Sequence, residues 1–373
     1  MSHVQSPERL DYWSCFFLDS ANHEFISNNE THFKYYCKVH GSYLSESEDG
    51  KHTLFKILTS VICSVCFFGV LTNILNILLL RNSISRGLSF RESLIILAAI
   101  ELFLCFFTGF KTILAFLILC DWNRSQGAFY LFYISNHLFH LSQTVSVYHS
   151  ILVSIERYFV VVAPLKSKVW LYRSKRRSAV VFLLVLTFSV ILNIPWFLKS
   201  YVGKNEGFGL KTNSTLGAFP YVIKRHKFAE MWLAGLQEVF LGLKSIAPFP
   251  IVLILNVLQF AAIHNANKRR VLLTNGHKKD IKSAKMFSVI ILILLSCNIM
   301  PIASYASSRA RTAIYREIIL LQLLSIVTGA AINFIIYLAF WQAFRNEFWK
   351  LIESIWKGSD ASERIICVSR VKQ

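Results

Sequence analysis

SVYHSILVSIERYFVVVAPLK, residues 146–166, decides how the chain is read. An apolar run carries a carboxylate and a guanidinium side by side, Glu156-Arg157, followed by Tyr158. Six residues further on stand Pro164 and Leu165, and then a basic segment. A Glu-Arg pair at the end of an apolar helix is costly in lipid unless each charge answers the other near the membrane boundary. The plain alternative is a snorkelling pair that closes a membrane helix. Tyr158 and the Pro-Leu spacing turn the pair into a more specific motif.

The composition puts this run in a membrane. The 373-residue chain is 54% hydrophobic and 16% charged, whereas a soluble protein carries roughly a quarter charged residues. A span needs about 20 mainly apolar residues to cross a hydrocarbon core of ~30 Å. The net charge of +19 is spread over basic clusters separated by uncharged runs. A nucleic-acid partner needs such charge gathered on one soluble face, so none is expected. Cys63 and Cys66 form a CxxC inside an apolar run, which reads as helix packing rather than zinc or redox chemistry. The first fifty residues have no basic start followed by an apolar core, so the first span serves as its own insertion signal.

Seven apolar runs are predicted as spans, at about 57–80, 93–118, 128–161, 179–198, 238–263, 286–307 and 318–340. The expected fold is an all-α integral membrane bundle of seven transmembrane helices. Residues 1–53 form an extracellular N-terminal segment, 54–340 the bundle, and 341–373 a cytoplasmic helix and tail. In that last part Phe344, Phe348, Leu351, Ile352 and Ile355 recur at helical spacing between charges. The pattern predicts an amphipathic helix lying in the interface rather than an eighth span.

Two signals orient the bundle. With the N-terminus outside, loops 81–91, 164–177 and 264–285 lie inside and hold 16 Lys/Arg and one acid, against ten Lys/Arg in the three opposite loops. Lys/Arg excess marks the cytoplasmic side. The three glycosylation sequons, at Asn29, Asn123 and Asn213, all fall on the other face, where acceptors need luminal exposure. The signals use different residues and agree. The expected location is the plasma membrane, multi-pass, with the N-terminus extracellular.

Polar residues inside the spans are the candidate working parts. Asn73 and Asn76 should face the bundle, because an Asn in lipid seeks a partner on another helix. Glu101 lies about a third of the way along the second span. His137 and His140 share a helical face, but one partial histidine box makes no metal site, and no metal or cofactor is expected. His140 lies roughly 25 Å up the helix from Arg157. It joins Gln143, Trp196 and Gln322 as the candidate ligand pocket in the outer half. The basic stretch Lys224-Arg225-His226-Lys227 reads either as solvated surface or as a vestibule for an acidic ligand group. Pro248, Pro250 and Pro301 lie inside spans, where proline frees a carbonyl and bends the helix.

The motif Glu156-Arg157-Tyr158 with Pro164-Leu165 resembles the D/E-R-Y motif of rhodopsin-like G-protein-coupled receptors. The resemblance runs from about residue 57 to 356. Gly69-x-x-x-Asn73 resembles that family's first-helix signature. LAAIEL (97–102) is similar to its Leu-Ala-x-x-Asp-Leu, with Glu101 in place of Asp. CNIMP (297–301) and NFIIY (333–337) resemble the FMRFamide-type neuropeptide receptors of invertebrates. The resemblance implies a receptor, not an enzyme, that passes the signal of a peptide or small-molecule agonist to a heterotrimeric G protein. It further implies that Arg157 docks the G protein. Asn73, Glu101, Asn298, Pro301, Asn333 and Tyr337 form a conformational switch in that reading. Several positions depart from the pattern, the missing disulfide among them. Phe132 stands where the third helix normally has a disulfide-forming Cys, and residues 199–231 contain no Cys partner. The outside thiols are Cys15, Cys37 and Cys120, and Cys367 in the tail is a candidate for palmitoylation. A transporter, the main rival, tends to show an internal repeat and Gly-rich broken helices at mid-membrane. The chain has neither.

Overall fold

The computed structural model describes residues 49–81, 91–119, 125–162, 175–204, 221–225, 239–240, 242–268, 297, 299–309, 315–354 and 356. Where they are described, the apolar runs are helical, because in lipid a helix satisfies its own backbone groups. They are α1 (Asp49–Arg81), α2 (Arg91–Leu119), α3 (Gln126–Val162), α4 (Lys175–Lys199), α5 (Pro248–Lys268), α6 (Ile299–Arg309) and α7 (Tyr315–Phe340). A further helix, α8, covers 342–354. Residues 286–296 of the sixth predicted span lie outside the described residues. Most predicted boundaries fall a few residues inside the observed ones. α1 differs more, starting at Asp49 in the segment assigned to the N-terminal region. At 33 residues it is ~50 Å long and projects beyond the hydrocarbon.

Among the described residues, five helices are long and apolar enough to cross a membrane: α1, α2, α4, α7, and α5 with the turn before it. α3 falls short of that hydropathy because Asn136, His137, His140, Gln143 and His149 interrupt it. Its position explains how it tolerates them. α3 packs against α2, α4 and α5, so its polar side chains meet protein rather than lipid. α7 returns to pack on α1, α2 and α6, closing the bundle.

The burial pattern is that of a membrane protein turned toward lipid. Phe67 on α1, Leu184 on α4 and Val257 on α5 are 60% or more exposed, while Asn73, Asn76, Glu101, Asn193 and Asn333 are 1% exposed or less. Water would reverse both preferences; lipid does not. At the centre, Gly69 lets α1, α2 and α7 approach closely. A Cβ there would stand 2.6 Å from Cys105 Sγ and 3.4 Å from Ala331 Cβ.

Two local features were not foreseen in the sequence. The long loop after α4 opens and closes as a two-stranded antiparallel hairpin, β1 (Ser200–Lys204) and β2 (Tyr221–Arg225), with Val202 opposite Ile223. It lies over the outer end of α3. Phe132, where the family's cysteine is missing, fills the joint. It packs with Leu114, Ile118 and Phe129 against Val202 of β1, and Tyr130 Oη donates to the Val202 carbonyl at 3.5 Å.

The second is a π-helical turn, Gly242–Ile246, directly before α5. Ala247 N donates to the Gly242 carbonyl at 2.9 Å, a bond that spans five residues. Pro248 has no N–H to offer the Lys244 carbonyl. The chain takes up an extra residue there instead, as π turns do near functional sites.

At the C-terminal end of α7, Arg345 Nη1 donates to the carbonyls of Leu338 and Ala339 at 2.9 and 2.7 Å. It thereby caps α7 and turns the chain into α8. Phe344 sinks into a core with Leu79, Leu94, Val153, Phe334 and Tyr337, and Phe348 packs on it. Trp349 and Trp356 stay exposed, as interfacial anchors do. α8 is therefore an amphipathic interfacial helix. Ile355 of its predicted apolar stripe is outside the described residues.

Candidate functional site

The polar groups sit in three tiers along α3. The middle tier joins three helices. Asn333 Nδ2 of α7 donates to Glu101 Oε1 of α2 at 2.6 Å. Asn73 Nδ2 of α1 donates to the carbonyls of Gly69 and Ala330 at 2.9 and 3.2 Å, and Asn76 Nδ2 donates to Asn73 Oδ1 at 3.3 Å. A carboxylate, three amides and two backbone carbonyls thus hold α1, α2 and α7 together where lipid gives no hydrophobic pull between helices.

Above this tier lies a cavity of about 60 Å³, lined among others by Glu101, Gln143, Ser146, Lys244, Pro301 and Ala330. Since a water needs ~10–15 Å³ by this measure, the cavity holds a few waters or one small polar group, not a peptide. Pro301 lines it from α6. Its missing N–H frees the carbonyl of Cys297, four residues before it. Ser325 Oγ of α7 donates to that carbonyl at 2.7 Å. The kink point of α6 is therefore latched to α7 by one hydroxyl. Ser325→Ala should cost about 1 kcal/mol and lower the melting temperature of the purified protein by about 2–4 °C. Ser325→Thr should restore it, and equal melting of all three proteins would show that the latch is idle.

The outer tier is aromatic and cationic. Lys111 Nζ of α2 donates to Asn136 Oδ1 at 3.2 Å and stands 3.4 Å over the Phe139 ring. Phe139 touches His140, which stacks on Trp196 of α4 with ring centroids 5.7 Å apart. Lys244 Nζ also lies 5.8 Å from the Trp196 ring and donates to Asn193 Oδ1 at 3.0 Å. Asn193 Nδ2 in turn donates to Thr144 Oγ1 of α3 at 3.1 Å. His137 stacks on Phe197.

The inner tier lies at the motif read first. Ser93 Oγ of α2 donates to Glu156 Oε2 at 2.9 Å, and His149 Nε2 lies 3.0 Å from the Ser93 carbonyl. Tyr158 packs edge-on against Phe159. Tyr337 is buried under Trp341 and Phe344. Arg157 lies on the last turns of α3, and its side chain is outside the described residues.

Of the candidates, the structure brings together Asn73, Glu101, Asn333 and Pro301 around the middle tier. His140 and Trp196 meet in the outer tier, and Gln143 lines the cavity. Gln322 on α7 is half-buried and does not line it. Pro164, Leu165 and Asn298, the sequons at Asn29, Asn123 and Asn213, and Cys15, Cys37, Cys120 and Cys367 lie outside the described residues. Among the described residues no group of three or more His, Cys, Asp or Glu is placed to hold a metal.

Sequence reasoning missed Lys111, Lys244, Asn193, Ser93 and Ser325. The two lysines carried a readable signal, since an ionisable residue within a span marks function as Glu101 does. The other three are ordinary polar residues, and only their partners distinguish them.

The chain matches the family model for the seven-transmembrane receptors of the rhodopsin family over residues 73–337. It is also similar to the FMRFamide receptor of Drosophila melanogaster, 25% identical over 211 residues. That alignment covers 56% of this chain and 37% of the fly receptor's length. An all-helical bundle closed on itself, with a polar interior, lipid-facing apolar sides and a match through all three tiers, has one reading: the chain belongs to the rhodopsin family of seven-transmembrane receptors.

Proposed function

We propose that this multi-pass membrane protein is a plasma-membrane neuropeptide receptor that passes an extracellular agonist signal to a heterotrimeric G protein. The observation that carries the reading is the stack of polar tiers. It runs from Lys244 and Asn193, through the cavity and the Glu101–Asn333 bond, to Glu156 bound by Ser93. An agonist that binds one arrangement of these tiers better than another shifts the population. Residues 1–53 lie outside and carry a glycan at Asn29, with others at Asn123 and Asn213. Residues 54–340 form the receptor domain and 341–373 the cytoplasmic end. Glu156, Arg157, Tyr158, Pro164 and Leu165 meet the G protein. Asn73, Glu101, Asn298, Pro301, Asn333 and Tyr337 make up the switch, with α6 swinging at Pro301. The likeness to an FMRFamide receptor supports a neuropeptide agonist of that general kind. Because the interior cavity is small, a small-molecule agonist of the same site is the second reading.

The test is G-protein activation in cells expressing the wild type and Arg157→Ala at equal surface density. It is read first without agonist and then with a panel of amidated peptides. A signal above mock that falls at least tenfold in Arg157→Ala is the expected result. A signal indifferent to that substitution, or none under any condition, counts against G-protein coupling through this motif.

A further inference from the structure

Two lysines are buried in the outer half of the bundle, Lys111 and Lys244, each 8% exposed. Among the described residues neither forms an ion pair; the pairs there, Arg91–Glu92 and Lys350–Glu347, lie at the start of α2 and within α8. Each ammonium has one amide oxygen and one aromatic ring for company. An ammonium has three N–H donors, so each keeps donors to spare. A charge inside the membrane normally pairs or lines a functional path.

The surroundings supply further polar nitrogens, and the residues lining the cavity include a single acid, Glu101. His137 Nδ1 and Nε2 and His140 Nδ1 are buried with no hydrogen-bond partner among the described residues. Lys244 and Gln143 line the cavity directly. Glu101 is the carboxylate on the same cavity, and its Oε1 is already held by Asn333. The cavity of about 60 Å³ has room for one small group.

We propose that the agonist of this receptor presents a carboxylate, from a free C-terminus or an acidic side chain, to Lys244, with Lys111 reinforcing the field behind Phe139 and His140. The proposal rests on the receptor reading above and narrows it. The recognised end of the agonist is anionic, so an amidated basic terminus is not what enters the cavity. Agonist binding then brings Lys244 a counter-charge beyond the Glu101 carboxyl that Asn333 already holds. Because Lys244 sits on the π turn before α5 and lines the same cavity as Pro301, charge neutralisation there reaches α5 and α6 together.

Thermal unfolding of the purified full-length receptor tests this, in gluconate buffer of constant ionic strength. The probes are phenylpropionate, its neutral isostere phenylpropionamide, and chloride. Phenylpropionate at saturating concentration should raise the melting temperature of the wild type by about 5 °C, with no comparable shift from the amide or chloride. The shift should vanish in Lys244→Gln and shrink in Lys111→Gln. Without probe, Lys244→Gln should melt at or above the wild type, because an unpaired buried charge has been removed. Lower melting of that variant would mean that Lys244 is already neutralised, by Glu101 through water, and overturns the proposal. So does an equal shift from the amide, the absence of any shift, or an equal shift from chloride, which would make the site one for free inorganic anions. The receptor reading is judged separately by Arg157→Ala in cells, so either can fail without the other.

Discussion

Asn333→Leu should strip the receptor of most of its surface expression. The substitution keeps the size of the side chain and removes the amide that donates to Glu101 at 2.6 Å. Glu101 is 1% exposed, at the meeting point of α2, α3 and α7. Losing one partner of a buried hydrogen-bonded carboxyl costs about 3 kcal/mol, since desolvation of the remaining group is no longer offset. That is more than a hundredfold in the ratio of folded to unfolded protein, within the whole margin of a typical fold. Removing both partners is the informative control. Glu101→Leu with Asn333→Leu leaves no buried polar group behind, and expression should recover toward wild type. Glu101→Gln keeps an oxygen where the Asn333 amide needs one and should be tolerated by itself. Flow cytometry of an N-terminally tagged receptor reads all four proteins. If Asn333→Leu reached the surface as well as the wild type, the middle tier would not be holding α2 and α7 together.

These residues were legible in the sequence for a simple reason. A polar side chain in a run of Leu, Ile and Phe has no solvent to turn to, so its burial against another helix follows from its presence. Asn73, Asn76, Glu101 and Asn333 stand out on that ground, and so do the helices that carry them. The same rule applied to Lys111 and Lys244 just as well; basic residues are common at span ends, and these two pass for boundary charges until the helices are placed. Other features left no mark at all. Ser325 is one serine among many, and its role comes from the carbonyl that Pro301 vacates on a neighbouring helix. The π turn depends on Pro248 but could have been resolved as an ordinary kink. The hairpin at 200–204 and 221–225 is set by contacts with α3, which local sequence does not encode.

The tiers also suggest why α3 is too polar to pass as a membrane helix by hydropathy. It contributes the Asn136 contact to Lys111, Thr144 to Asn193, His149 to Ser93, and Glu156 to Ser93. Each of these bonds reaches α2 or α4 directly, and Asn193 passes the link on to the turn before α5. A helix so tied on several sides can register a small displacement at its outer end as strain at its inner end, because packed interiors shift between discrete arrangements rather than deform smoothly. Lipid-facing helices such as α4 and α5 need only their apolar sides for that job.

The outer end of α3 is where the second large effect is expected. Related receptors staple this point to the loop after α4 with a disulfide, and here Phe132 takes the cysteine's place. Phe132 is buried among Leu114, Ile118 and Val202, so its packing bridges α2, α3 and the hairpin. Phe132→Ala removes most of that contact and should cost about 3–5 kcal/mol, read as lost surface expression or as a melting point lowered by about 10 °C. The cavity should also loosen the hairpin, which the long Tyr130 bond of 3.5 Å ties to α3 as well. Hydrogen exchange at Val202 and its neighbours would then rise in step. A cysteine pair offers the converse test, since Phe132→Cys with Val202→Cys recreates a covalent staple where the packed one stood. If the two side chains meet as described, the pair cross-links under mild oxidation and restores the stability that Phe132→Ala loses. A Phe132→Ala receptor that melts like the wild type would mean the hairpin is held by something other than this ring.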